Sequence, residues 1–156
     1  MTVTPPGPAV ARYGSWTSPI SLEVVFEGRV SPSEPRFDGQ EIYWLEGRPD
    51  EAGREVLVRR CADGSLEDAV AAGVNVRTMA HEYGGGAWTV EAGVLYYSDL
   101  ADGRLYRLGH GEAPQALTPP GPFRYADLSV DRGRRRLVCV REDHRGGANA
   151  PPFPSS

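Results

Sequence analysis

One apolar hairpin pattern occurs three times in this chain, and that recurrence restricts the fold more than any single motif. It appears as PRFDGQEIYWL (Pro35–Leu45), as WTVEAGVLYYS (Trp88–Ser98) and as LSVDRGRRRLVCV (Leu128–Val140). Each copy has an apolar extended run, a glycine-containing turn and a second apolar run. Aligned on their turns, Phe37, Val90 and Val130 are equivalent, so the copies are offset by 53 and then 40 residues. A further strand follows the first two copies, Glu55–Arg59 and Arg104–Leu108, and APQALTP (Ala113–Pro119) supplies an outer strand after the second. A four-stranded unit recurring at about 40–50 residues is the spacing of β-propeller blades. The expected fold is therefore all-β: a partial propeller of two to two and a half four-stranded antiparallel blades.

The turns fit that architecture. Asp38-Gly39, Ala92-Gly93 and Asp102-Gly103 each separate two extended segments, a strong hairpin signal. Glycine (19) and proline (14) exceed a fifth of the 156 residues, which suits frequent turns between short strands. Two helical departures are expected. Ser18 before Pro19 predicts a short N-terminal helix or turn to about Glu27. Ser65 with Asp68, and Leu66, Ala69 and Val70 on one helical face, predict a short helical insertion over 65–73 that accounts for the longer first offset. The organisation expected is a flexible lead-in over 1–12, a propeller unit over 13–145 and a disordered Pro/Gly/Ser-rich tail over 146–156. A closed propeller has about four to eight blades, so the repeat is expected to stop inside the third.

Charge and composition exclude several classes. The net charge of −4 argues against a broad nucleic-acid surface, and all 17 basic residues are arginine. Cys61 and Cys139 belong to no CxxC pattern and are expected to be small buried apolar residues. The N-terminus has no basic segment followed by an apolar one, and no apolar run approaches the ~18 residues of a membrane-spanning helix. A cytoplasmic location follows as the expectation.

The motifs in order resemble a known family. YGSWTSPI, SEPRFDGQEIYWLEGRP, NVRTMAHEYGGGAW, LYYSDLADGRLYRL, RYADLSVD and RLVCVREDH are similar to the N-terminal propeller of bacterial serine peptidases of the prolyl oligopeptidase family, nearest to its dipeptidyl and acylaminoacyl peptidases. The resemblance runs over roughly residues 12–145. It implies a propeller that caps a C-terminal α/β-hydrolase domain carrying the catalytic serine, aspartate and histidine. It implies that the propeller restricts access to short peptides. The chain looks truncated before that catalytic domain.

The chemistry of the chain agrees with a non-catalytic part. No G-x-S-x-G elbow is present to expose a nucleophilic serine, and nothing orients His81, His110 or His144 toward one. The chain alone is therefore expected to be inactive. No metal motif and no phosphate-binding glycine loop occurs, so no cofactor is expected. Arg134-Arg135-Arg136 reads as a solvated turn beside an apolar strand.

HEYGGGAW (His81–Trp88) remains. Its glycines let the chain enter the inner strand of blade two where backbones crowd, with Tyr83 and Trp88 filling the gap between blades. Alternatively, Glu82 faces the cavity of the full enzyme and pairs with a peptide α-amine, with His81, Glu82 and Tyr83 as substrate-binding residues. Two and a half blades leave strand edges open, and an isolated chain is expected to self-associate through them. A stand-alone β-repeat module binding a peptide or protein is the competing expectation.

Overall fold

The computed structural model describes residues 10, 12–15, 20–21 and 30–145. Among the described residues, ten strands form three antiparallel sheets. Strands β1 (Ser31–Asp38), β2 (Glu41–Arg48), β3 (Arg54–Arg60) and β4 (Leu66–Asp68) pair in chain order. Strands β5 (Trp88–Glu91), β6 (Val94–Ser98), β7 (Leu105–Leu108) and β8 (Gln115–Ala116) repeat that order. Strands β9 (Phe123–Asp131) and β10 (Arg136–Asp143) form a third pair. The leading strands lie side by side, β1 against β5 and β5 against β9. This is the radial stacking of propeller blades, and the all-β partial propeller stands.

The registers confirm the equivalence of the three hairpins. Phe37 pairs with Ile42, Val90 with Leu95 and Val130 with Leu137, each one residue before the end of the inner strand. Ala92 and Gly93 form the two-residue loop of blade two, with φ of 51° and 75°. Positive φ at both central positions matches the twist of the flanking strands, and glycine takes it most easily.

The helical insertion over 65–73 is not formed, and an outer strand takes its place. Ser65 does not cap a helix. Its N–H and hydroxyl both donate to Asp63, closing the turn after β3. Leu66, Glu67 and Asp68 then pair with Arg60, Arg59 and Val58, and the Ala69 N–H continues the ladder to the Leu57 carbonyl. Asp68 is held across the sheet by two hydrogen bonds from Arg48, at 2.6 and 2.9 Å. Of the supposed apolar helix face, Leu66 is exposed and Val70 is buried. The longer first offset comes instead from the connection between blades. Nineteen residues (69–87) join β4 to β5, whereas six (117–122) join β8 to β9. That excess of 13 equals the difference between the two offsets. The helix or turn expected over Pro19–Glu27 lies outside the described residues, apart from Ile20 and Ser21.

The main core lies between blades one and two and holds Tyr43, Leu45, Val56, Leu57, Val76, Trp88 and Tyr97. Trp88 is fully buried, with its ring 6.5 Å from Tyr43 and under the Arg36 guanidinium at 5.2 Å. A second cluster of Leu105, Tyr125 and Leu128 joins blades two and three. Cys61 and Cys139 are free thiols and only half-buried, so they are less enclosed than expected. Burial raises the pKa of the Cys139 thiol. The run Arg134–Arg136 is exposed in and after a short turn capped by Asp131, as its sequence implies.

Candidate functional site

The HEYGGGAW segment ends the long connection and delivers the chain into β5. A tight turn precedes it. The Ala80 N–H donates to the Thr78 hydroxyl at 3.1 Å, Glu82 N–H to the Met79 carbonyl at 3.2 Å, and Gly84 N–H to the Ala80 carbonyl at 2.9 Å. His81 and Glu82 both sit in left-handed backbone, φ 58° and 64°. Two consecutive non-glycine residues there are uncommon and costly unless neighbours hold them.

Crowding explains two of the three glycines; at Gly85, with nothing within 4 Å of a built Cβ, the φ of 110° is the constraint. A Cβ on Gly84 would lie 2.7 Å from the Thr78 carbonyl oxygen. One on Gly86 would lie 2.5 Å from Asp127 Oδ1 and 2.7 Å from Asp127 N. Asp127 itself has φ 54° and sits where the β9–β10 register shifts opposite Cys139. A bulge in the inner strand of blade three therefore presses against the entry to the inner strand of blade two.

The three candidate residues separate. His81 is tied down: its N–H donates to Glu142 Oε1 at 2.6 Å, its Nδ1 is 3.5 Å from the same oxygen, and its Nε2 is 3.8 Å from Asp127 Oδ2. Glu82 is exposed, and its carboxylate meets no hydrogen-bond or ion-pair partner among the described residues. Tyr83 stacks on His81 with ring centroids 5.9 Å apart but is 84% exposed. Of the two aromatics expected to fill the gap between blades one and two, Trp88 does so and Tyr83 does not.

Beside the loop lies a cavity of about 230 Å³ lined by Glu34, Glu55, Arg77, Tyr83, Gly84 and Gly85, among others. Glu34 sits in a bulge of β1 with φ 49°, and its Oε2 is buried without a hydrogen-bond partner. Burial raises the Glu55 pKa and the Glu34 carboxylate adds to the rise, against the opposing Arg77 guanidinium. Of these residues, Glu34, Glu55 and Arg77 did not stand out in the sequence. Glu34 lies in an apparently unremarkable SEP stretch, and its bulge is invisible without the sheet. Glu142 was visible only as part of a strand-end cluster, Glu142-Asp143-His144.

What this arrangement can do is bind and position. No cluster of three or more histidine, cysteine or acidic side chains that could hold a metal occurs among the described residues. No described helix is long and apolar enough to cross a membrane.

No protein-family profile matches the chain, and no curated protein does. Solved structures do. A puromycin-hydrolysing peptidase of Mycobacterium tuberculosis is 34% identical over 86% of this chain, with a TM-score of 0.72. A puromycin hydrolase is 36% identical over 89% of the chain, also at 0.72. A serine-to-alanine mutant of puromycin hydrolase complexed with PGG is 36% identical over 87%, again at 0.72. The chain spans only 22–23% of the length of these relatives. The blade repeat, the ordered motifs and this identity over 86–89% of the chain agree: the chain is similar to the N-terminal β-propeller segment of peptidases of the prolyl oligopeptidase family.

Proposed function

We propose that the chain forms part of a propeller that admits short peptides to a serine-peptidase active site on a C-terminal α/β-hydrolase domain of the full enzyme. The observation that carries this reading is the identity of 34–36% with enzymes named for hydrolysing puromycin. Among such enzymes the dipeptidyl and acylaminoacyl peptidases of bacterial cytoplasm fit best. The propeller unit runs over 13–145. Its contribution to binding is the exposed pair Glu82 and Tyr83, displayed by His81, with Glu82 available to a peptide α-amine and Tyr83 to an adjoining apolar group. An unpaired exposed carboxylate next to an exposed ring supports that assignment.

The test uses the full enzyme that contains this propeller, with puromycin and short peptides bearing free or acylated amines. Glu82→Gln is expected to raise KM for free-amine substrates by roughly three- to tenfold with kcat unchanged, the signature of lost uniform binding. Equal effects on acylated and free-amine substrates would exclude an amine contact. A propeller-deleted enzyme that still rejects long polypeptides would exclude gating altogether. The isolated chain is proposed to self-associate through β10, whose Val138 and Val140 are exposed. A single monomeric species in sedimentation would refute that.

A further inference from the structure

We infer that Glu142 is a proton-sensitive clamp, which holds the 81–86 loop to blade three through two histidines and tightens as those histidines take up protons. The clamp stands whether or not the loop meets a substrate.

The geometry is a carboxylate that accepts one backbone N–H and lies beside two imidazole rings. Glu142 Oε1 accepts the His81 backbone N–H at 2.6 Å, and Oε2 lies 3.1 Å from His144 Nε2. The two ring nitrogens of His81 stand 3.5 Å from Glu142 and 3.8 Å from Asp127. Those ring distances are long for a hydrogen bond but within reach of an ion pair. A neutral imidazole carries one N–H and gains little from them; a protonated ring between two carboxylates is attracted to both.

The charged groups around the site are few. From the connection come His81 and the neighbouring Glu82, with the Tyr83 ring stacked behind. From β9 come Asp127 and Arg124, whose guanidinium donates to the Met79 carbonyl at 2.9 Å rather than to a carboxylate. From the end of β10 come Glu142, His144 and Asp143, the last engaged by Arg145. Among the described residues, the ion pairs of the two carboxylates that face His81 are with the two imidazoles, although Arg124 lies across the ladder from Glu142 and Arg141 beside it in β10.

The sign runs one way. A protonated imidazole is a cation and a neutral one is not, so the clamp tightens as pH falls. It fails when Glu142 is itself protonated. The His81 N–H, with help from His144, holds the Glu142 pKa below the ordinary carboxylate range. The clamp therefore persists below the usual carboxylate midpoint of about 4.3. The left-handed residues at 81 and 82 make the loop dependent on this hold, because their backbone is unfavourable without it.

Amide hydrogen exchange at residue 81 reads the clamp directly. Protection is compared at about pH 7.5 and 5.5 after correction for intrinsic exchange rates, with the Val56–Val58 amides reporting that the blades remain folded. Wild type is expected to gain about threefold protection at the lower pH, the scale of an exposed ion pair. Glu142→Gln is expected to lose about tenfold at residue 81 at both pH values, because a charge-assisted bond becomes a neutral one. His81→Asn tolerates left-handed backbone and keeps the N–H, so it should retain basal protection and lose most of the pH response, keeping only the share that His144 carries. His144→Gln should lose part of that response. Wild-type protection that is equal at both pH values would overturn the clamp. So would a His81→Asn variant that responds as wild type does, a result that stands even if Glu142→Gln fails to fold.

Discussion

Gly86→Ala should destabilise the fold far more than an alanine at another left-handed glycine, and the structure says by how much. Gly86 has φ 58°, so an alanine there carries the left-handed cost of about 1–2 kcal/mol. Its Cβ would also lie 2.7 Å from Asp127 N and 2.9 Å from Asp127 Cα. Those atoms are the backbone of β9 and cannot rotate away as a side-chain tip can. Separating the two chains costs typically another 1–3 kcal/mol, as over-packing does. The separation also lengthens the Leu128 N–H bond to the Gly86 carbonyl, already 3.4 Å. The total is about 2–5 kcal/mol, centred on about 3–4. Gly93, at φ 75°, has nothing within 4 Å of a built Cβ. Gly93→Ala should therefore show the conformational cost alone, about 1 kcal/mol. Urea unfolding of both variants measures the difference. With a slope of about 1.5–2 kcal/mol/M for a domain of this size, Gly86→Ala should unfold at a midpoint lower than Gly93→Ala by about 1–2 M at unchanged slope. Equal midpoints would refute the close approach of β9 to the loop as the reason for glycine at 86.

Two further outcomes follow from the core. Trp88→Ala removes the largest side chain between blades one and two and should cost about 3–5 kcal/mol in urea unfolding; a loss under about 1 kcal/mol would mean that the blades are not coupled through it. Alkali should unfold the protein in a defined window. Tyr43 and Tyr97 are pushed up to about 12, chiefly by burial. Their folded pKa values are raised, so the associated stability is complete below the ordinary tyrosine value of about 10 and is lost as pH rises through 12. Unfolding monitored by circular dichroism should accompany tyrosinate absorbance across that window, and ionisation of every tyrosine near pH 10 without unfolding would contradict the burial of these two.

The blade repeat was legible because a hairpin imposes period-two alternation and a turn residue at a fixed place, and three copies reinforce each other. Phe37, Val90 and Val130 could be aligned by eye and proved equivalent in register. The segment 65–73 misled because Ser65, Asp68 and the spacing of Leu66, Ala69 and Val70 satisfy a short helical pattern as well as a strand followed by a turn. Arg48, twenty residues upstream, decides between them by gripping Asp68, and one sequence does not reveal that pairing. The site was legible in part. Three successive glycines announce crowding, but the crowding partner, Asp127, lies about forty residues further on in a bulge that shows no sequence mark. Tyr83 and Trp88 are both aromatic and five residues apart; only the direction in which the chain enters β5 makes one exposed and the other buried.

The last residue of each inner strand is acidic, and its use changes with the turn it meets. Asp38 ends β1, and its two oxygens accept the Ala92 and Gly93 N–H groups of the next blade at 3.1 and 2.5 Å. Those groups are free because a two-residue loop with both residues left-handed turns them outward. Glu91 holds the same position in β5 but meets a four-residue turn in blade three. There Asp131 already accepts the Arg134 N–H, at 3.1 Å. Glu91 is left with the Arg132 side chain, an exposed ion pair. One position thus joins successive blades by a rigid backbone contact in one case and by a flexible side chain in the other. A charged acceptor on two backbone donors is worth about 2 kcal/mol, whereas an exposed pair is worth about 0–1 kcal/mol. Asp38→Ala should therefore destabilise by about 2 kcal/mol, and Glu91→Ala by no more than about half of that. Added salt should shrink the Glu91 effect and leave most of the Asp38 effect in place. If Glu91→Ala proves the more damaging, the turn's own capping does not decide how blades are joined, and the difference between two-residue and four-residue turns carries no weight in the stacking of this propeller.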